Sequence, residues 1–352
     1  MANAESEETL LLEAAVERLR EMLPDSWRVA VEGSPVRSVV LTAPNGVFAS
    51  FAIDVRAALA PRDVPLMLTT LGRSIRDFAR HVPALVIAPW ISPRTQQLLD
   101  VEQISYVDLT GNARVQLDSP PLFLSSVGAG RDPRPASRGS ARVRGPKSGR
   151  LFRTLVEVPA PLGVRELAAH ADLAPGYVSR MLDTLDREAL VTRSPRGAVV
   201  AVDVPGLLRR WAENYDVLRA NRAQRFVAPR GLAETQELLA ERVGDEAAIT
   251  GSFAAIRLVR VSAPALLLVY CDDGAEVAGR LDLLAVDEGA DVALLTPFDD
   301  VVWRNTERRD GLRFVAPAQV AVDCLTGTGR MPSEGEAILS WIASGQAGDA
   351  TT

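Results

Sequence analysis

The stretch Leu162–Val202 constrains this chain more than any other. Apolar residues recur at helical spacing in Val164, Leu167 and Ala168, and again in Val178, Met181, Leu182, Leu185 and Leu190. Between the two runs, Ala171-Asp172-Leu173-Ala174 reads as a turn with Leu173 plugged into the core. Pro175 opens the next helix at a position where a missing N–H does no harm. Two β runs follow, Val191–Arg193 and Val199–Val202, joined by a Ser194-Pro195-Arg196-Gly197 turn. Upstream, residues 149–158 give a further helix with Leu151, Phe152, Leu155 and Val156 inward, and Pro159 and Pro161 stop it.

Helix, helix, turn, helix and a two-stranded hairpin is the order of a winged helix-turn-helix, which lays its last helix in a DNA major groove. The outward face of that helix carries Gly176, Tyr177, Ser179, Arg180 and Asp183, with Pro175 at its start. Arg180 is suited to a guanine edge, Ser179 to a base or phosphate, and Tyr177 to a phosphate. Asp183 is read as orienting Arg180, while Arg193 and Arg196 of the wing face phosphate or the minor groove. The run LAAHADLAPGYVSRMLDTLDREALVTR resembles the MarR-like winged-helix regulators of bacteria, which implies transcriptional control by direct DNA contact.

Charge supports this placement. The formal net charge is −6, yet residues 131–230 hold 19 Lys and Arg against 10 Asp and Glu. A basic middle between acidic ends fits one segment that meets a polyanion. Gly128–Gly149 is rich in Gly, Pro, Ser and Arg without hydrophobic periodicity, so it reads as a mobile connector, either a tether or a backbone-tracking arm. No apolar run reaches membrane-spanning length, the N-terminus has no secretory pattern, and Cys271 and Cys324 make neither a disulfide framework nor a metal cluster. A cytoplasmic, nucleoid-associated protein is expected.

Ahead of the connector, residues 6–23 have helical spacing, followed by β-rich runs at Trp27–Val31, Val36–Thr42 and Val47–Val55. A helix over Pro65–Arg80, a strand at Ala84–Ala88 and a helix opened by Ser92-Pro93 come next. Strands at Ile104–Val107, Ala113–Leu117 and Leu122–Ser126 complete the segment. This order resembles the restriction-endonuclease-like, PD-(D/E)xK, fold, with Ile53-Asp54-Val55-Arg56 where such nucleases carry (D/E)xK. That resemblance implies Mg²⁺-dependent cleavage, but the second strand has no carboxylate and Arg56 replaces the lysine that would tune a water. A degenerate nuclease-like domain is expected. Asp108 and Thr110, before Gly111-Asn112, are read as turn-forming residues, and His81 as a helix C-terminal cap.

Beyond the hairpin, Val204–Leu218 and the Arg-rich stretch to Arg230 read as a packing helix continuing the winged-helix unit. Alternating helices and strands follow from Leu232. The runs ITGSFAA, LLTPFDDVVW and VAPAQVAVDCLTGTGR, with the EGEAILSWI helix, resemble the C-terminal region of AbiEi-type antitoxins of type IV toxin–antitoxin systems. In that family a winged helix represses its own promoter. Thr250-Gly251-Ser252 with Asp272-Asp273 also resembles a nucleotidyltransferase pattern, but adjacent strand aspartates point to opposite faces and do not share one metal.

The expectation is therefore an α/β and α+β multidomain protein. Its parts are a restriction-endonuclease-like domain at 1–127, a linker at 128–148, a winged helix-turn-helix at 149–230 and an antitoxin-like α/β domain at 231–352. The expected function is a sequence-specific regulator, a repressor, acting as a homodimer on double-stranded DNA. The alternatives are an antitoxin or defence component meeting a protein partner through the outer domains, or a Mg²⁺ nuclease. No catalytic residue, metal site or cofactor is assigned.

Overall fold

A computed structural model describes residues 2–33, 37–70, 82–134 and 143–344. The chain divides into two compact units, one built from Met1–Ser140 with Arg187–Ala189 and the other from Ala141–Asp186 with Leu190–Thr352.

In the first unit, helix α1 (Ala2–Met22) precedes strands β1 (Arg28–Glu32), β2 (Ser38–Thr42) and β3 (Phe48–Val55). Helix α2 is described over 64–70; the rest of the Pro65–Arg80 helix, and His81, lie outside the described residues. Then come β4 (Ala84–Ala88), α3 (Pro93–Val101), β5 (Ser105–Asp108), β6 (Ala113–Leu117) and β7 (Leu122–Ser126). The seven strands lie in sequence order, with β3, β4 and β5 parallel and the outer pairs antiparallel. α1 buries Leu12, Ala15, Val16 and Leu19 against Phe51, Leu85, Ile87 and Val107 on one face. Val64, Met67 and Leu99 cover Val86, Ala88 and Tyr106 on the other. The wholly apolar β4 run is what a strand covered on both faces requires.

Asp108 ends β5 and accepts five hydrogen bonds, from the N–H groups of Ile91, Thr110 and Asn112, the Thr110 hydroxyl and the Asn112 amide. Asn112 in turn holds the segment read as the start of a mobile connector. Gly128 N–H donates to its Oδ1 at 2.8 Å, and its Nδ2 donates to the Ala129 carbonyl, which also takes the Trp90 indole N–H. A Cβ at Gly128 would stand 2.3 Å from the Thr110 carbonyl oxygen, so only glycine fits. The connector composition thus begins with an anchored stretch; Arg134 Nη1 bonds the Ala57 carbonyl at 3.1 Å.

The second unit opens with α4 (Pro146–Glu157), α5 (Val164–Ala171), α6 (Pro175–Arg187) and the hairpin β8 (Val191–Arg193) and β9 (Val199–Val202). Next come α7 (Val204–Ala212), α8 (Val217–Ala220), β10 (Arg222–Val227), α9 (Leu232–Leu238), β11 (Ala247–Thr250), α10 (Ser252–Ala255), β12 (Leu267–Cys271) and α11 (Gly274–Arg280). β13 (Leu284–Ala285), β14 (Val292–Thr296), β15 (Glu307–Arg309), β16 (Leu312–Phe314), α12 (Pro317–Leu325) and α13 (Met331–Ala343) complete it. Its large sheet runs β13-β10-β14-β12-β11-β16-β15. The Arg-rich stretch expected to continue a packing helix is instead β10. Its arginines lie outward and its partner β14 is a buried apolar strand. Residues 149–230 and 231–352, separated by the sequence pattern, share one continuous hydrophobic core.

That core holds a polar cluster. Asp323 of α12 is fully buried and accepts from Tyr215, Tyr270, Thr250 and Gln319. Ser252 donates to the buried Glu334 of α13 at 2.6 Å, and Asp273 caps α11 through the N–H groups of Ala275 and Glu276. The hydroxyls and one aspartate of the nucleotidyltransferase-like pattern are thereby engaged structurally. Burial pushes the Cys271 thiol up to about 12 and raises Cys324 as well.

Burial raises the Asp323 carboxyl to about 6, against the pull of its four donors. The folded state therefore holds a proton that the unfolded chain has released between about pH 4 and 6, and this group's contribution falls as pH rises through that window. In urea titrations, the stability difference between wild type and Asp323→Asn should change by on the order of 2–3 kcal/mol from pH 4 to pH 7. A pH-independent difference would contradict the assignment.

Candidate nucleic-acid interface

α6 is amphipathic along its whole length. Val178, Met181, Leu182 and Leu185 are buried, while Pro175, Gly176, Arg180 and Asp183 are exposed and Ser179 is half-buried. Asp172 makes the turn before it, in the left-handed conformation at φ 54°, which Asp tolerates better than most residues. Its N–H closes α5 onto the Ala168 and Ala169 carbonyls.

The expected outward residues divide into two sets. Arg180 and Arg196 are exposed and, among the described residues, make no side-chain hydrogen bond or ion pair. Tyr177 and Arg193 are already engaged. Tyr177 is half-buried, with its hydroxyl 3.2 Å from Ser148 Oγ of α4. Arg193 Nη1 donates to Asp183 at 2.6 Å, and its Nε to the Gly197 carbonyl at 3.1 Å. Asp183, expected to orient Arg180, thus orients Arg193, because the wing folds back beside the helix within reach of its carboxylate.

The wing is stiff. Gly197 at φ 87° closes the turn with its N–H on the Ser194 carbonyl, and Ser194 Oγ accepts from Ala198 N–H. Leu162 pairs with Val199 as a third, single-residue strand, so the wing is tied to the start of α5. Arg196 sits at the exposed tip.

The sequence reading missed the residues that hold this reader in place. Arg150 of α4 grips the carboxylate of Asp299, buried in the C-terminal part, at 2.9 and 3.0 Å. Its Nη1 also reaches Asp172 at 3.1 Å. Arg304 donates to the His170 carbonyl at 2.8 Å. Arg153, 1% exposed, donates to Glu157, to Gln319 and to the Arg304 carbonyl. The only signal was the LLTPFDDVVW run itself, since Asp299 lies within it.

Residues 147–195 match the IclR helix-turn-helix domain. Residues 201–340 match the AbiEi antitoxin family, described as transcriptional regulators of type IV toxin–antitoxin systems. No curated protein and no solved structure matches the chain. The helix-turn-helix family that matches is thus the IclR type, where the sequence pattern resembles MarR-like regulators. Together the two matches support a DNA-binding regulator or a type IV antitoxin. Among the described residues no helix is long and apolar enough to cross a membrane.

Arg150→Met should lower stability in urea by about 2 kcal/mol, because it leaves the Asp299 carboxylate buried without its cation. Asp172→Asn, which keeps the left-handed turn and loses only an exposed ion pair, should cost less than about 0.5 kcal/mol. Equal costs would mean that the Asp299 contact does not hold the reader.

Proposed function

We propose that the chain is a sequence-specific transcriptional repressor that reads double-stranded DNA with α6 and the β8–β9 wing. The observation that carries this reading is the pair of exposed, unengaged guanidiniums, Arg180 on the helix and Arg196 on the wing tip, on a reader fixed by Arg150 and Arg153. Arg180 meets a guanine edge, Ser179 a base or phosphate, and Pro175 and Gly176 bring the helix start close to the duplex. Arg196 enters the minor groove or lies on phosphate, with Arg193 beside it. Tyr177 is assigned to seating α6 against α4. A homodimer on a palindrome follows from the symmetry such readers use.

The AbiEi match over 201–340 favours a second reading, an antitoxin that represses its own promoter and meets a protein partner through an outer part of the chain. The first unit is read as a degenerate nuclease-like, non-catalytic domain. Asp54 is held by Arg56 at 2.6 and 2.9 Å, and the bond to Asp54 raises the Arg56 pKa further. That guanidinium stays protonated and does not activate a water.

Genome-wide mapping of bound DNA should yield an enriched motif, and binding to that motif should fall steeply with salt. Arg180→Ala should weaken motif binding about 10–100-fold and non-specific binding by much less. Equal losses in electrophoretic mobility assays would sink the recognition-helix assignment. With Mg²⁺ or Mn²⁺ the protein should leave supercoiled plasmid intact, and metal-dependent cutting abolished by Asp54→Ala would overturn the non-catalytic reading.

A further inference from the structure

Strand β1 is a free edge of the first unit's sheet, and its neighbours fix its backbone phase. Beyond the β2–β3 turn, Ala43 N–H donates to the Val47 carbonyl at 2.8 Å. Odd-numbered residues of β2 therefore bond β3, and even-numbered ones bond β1. Arg28, Ala30 and Glu32 stand opposite Thr42, Val40 and Ser38 and spend their N–H and C=O groups on them. Val29 and Val31 turn theirs outward. In keeping with this, the Val29 carbonyl takes Arg20 Nη2 of α1 at 2.9 Å, and a carbonyl has a second lone pair to offer.

Edge strands are commonly blunted by a proline or a bulge. β1 has neither, and its register with β2 is unbroken. Val31 is 42% exposed, on the face where Val29 packs under α1. Arg28 and Glu32 are exposed and, among the described residues, make no side-chain hydrogen bond or ion pair. The strand reads Arg-Val-Ala-Val-Glu. Laid antiparallel on a copy of itself about Ala30, it matches throughout: Arg28 faces Glu32, Val29 faces Val31 and Ala30 faces Ala30. The outward backbone groups of Val29 and Val31 fall in hydrogen-bonded pairs. The Arg–Glu and Ala–Ala pairs fall at the non-hydrogen-bonded sites, where side chains come closer. The smallest side chain thus sits at the axis, where crowding is greatest. The other edge, β7, has no charged residue and offers no such match.

We infer that two copies of the chain join through β1, antiparallel about a two-fold axis at Ala30, so that two seven-stranded sheets become one. The contact is isologous, and its charges complement only a reversed copy of the same strand. It names the surface at which the proposed homodimer meets. It uses nothing of α6 or the wing, so it stands without the DNA-binding reading.

Sedimentation of the full-length protein at about 50 µM should show a dimer. Arg28→Glu or Glu32→Arg alone should raise the dimer dissociation constant about tenfold or more, since each sets like charges opposite one another twice. The double variant Arg28→Glu/Glu32→Arg should regain wild-type dimerisation. An equimolar mixture of the two single variants should do the same, because opposite charges again face each other. Ala30→Cys should cross-link to its copy on mild oxidation, since the Cα separation of a non-hydrogen-bonded pair, about 4.5 Å, lies within disulfide range. Cys271 and Cys324 are buried and leave that readout clean. The cross-link also decides the matter if a charge variant fails to fold. A monomeric wild type overturns the pairing. A dimer that the single variants do not weaken, or that neither the double variant nor the mixture restores, overturns the β1 contact and leaves the homodimer reading standing. So does a dimer in which Ala30→Cys does not cross-link. A protein that dimerises as described but binds no DNA motif overturns the regulator reading and leaves the pairing in place.

Discussion

The second unit depends on the burial of one guanidinium. Arg153 points from α4 into the body of the protein, 1% exposed, and all its contacts are to residues that belong either to α4 or to the C-terminal part. A buried charge is tolerated only when its donors are matched, and these are, by a carboxylate, an amide and a backbone carbonyl. The amide, Gln319, hands the chain of hydrogen bonds on to Asp323, where two tyrosines and a threonine converge. The first helix of the reader and the sheet behind it are therefore coupled by a polar network within an otherwise apolar core. Because each member satisfies the next, loosening one leaves an unpaired polar group on its neighbour, a cost of about 1–3 kcal/mol.

The surface formed by α6 and the wing is tied down in the same way. The α6 seat, the turn before it and the wing are each tied to a different element: Tyr177 to α4, Asp172 through Arg150 to Asp299, and Arg193 to Asp183. A surface held at several points presents its exposed arginines in one geometry, as the proposed base-edge contacts require. The first unit uses the same economy on a smaller scale. Asp108 and Asn112 consume their hydrogen-bonding capacity on the backbone around them and on Gly128–Ala129.

The winged helix was legible because its signals are local. Helical spacing, Pro175 at a helix start and the Ser-Pro-Arg-Gly turn each act within a few residues, and strands β8 and β9 fall where the sequence places them. What escaped notice depends on distant partners. The period of α4 places Leu151, Phe152, Leu155 and Val156 inward and Arg153 outward; the outward face is covered by α12, and nothing within α4 announces it. β10 escapes a local reading because Arg222 and Arg225, three residues apart, have the spacing of one helix face, and only Phe226 of the strand is buried. Roles of single polar residues were similarly ambiguous. Asp183 lies within one helical turn of Arg180, yet the hairpin brings Arg193 closer.

The shared core also bears on how such proteins are assembled from parts. Winged helices are commonly treated as portable cassettes, joined to other domains by a cut at the end of the wing. Here a cut after Val202 would strip α7 and α12 from α4, take Trp211 from Phe152 and leave the Arg153 guanidinium without the Gln319 and Arg304 acceptors. The DNA reader of this chain is thus not a transplantable module. It is one wall of a larger body, and recombination that preserves it has to carry the C-terminal sheet along.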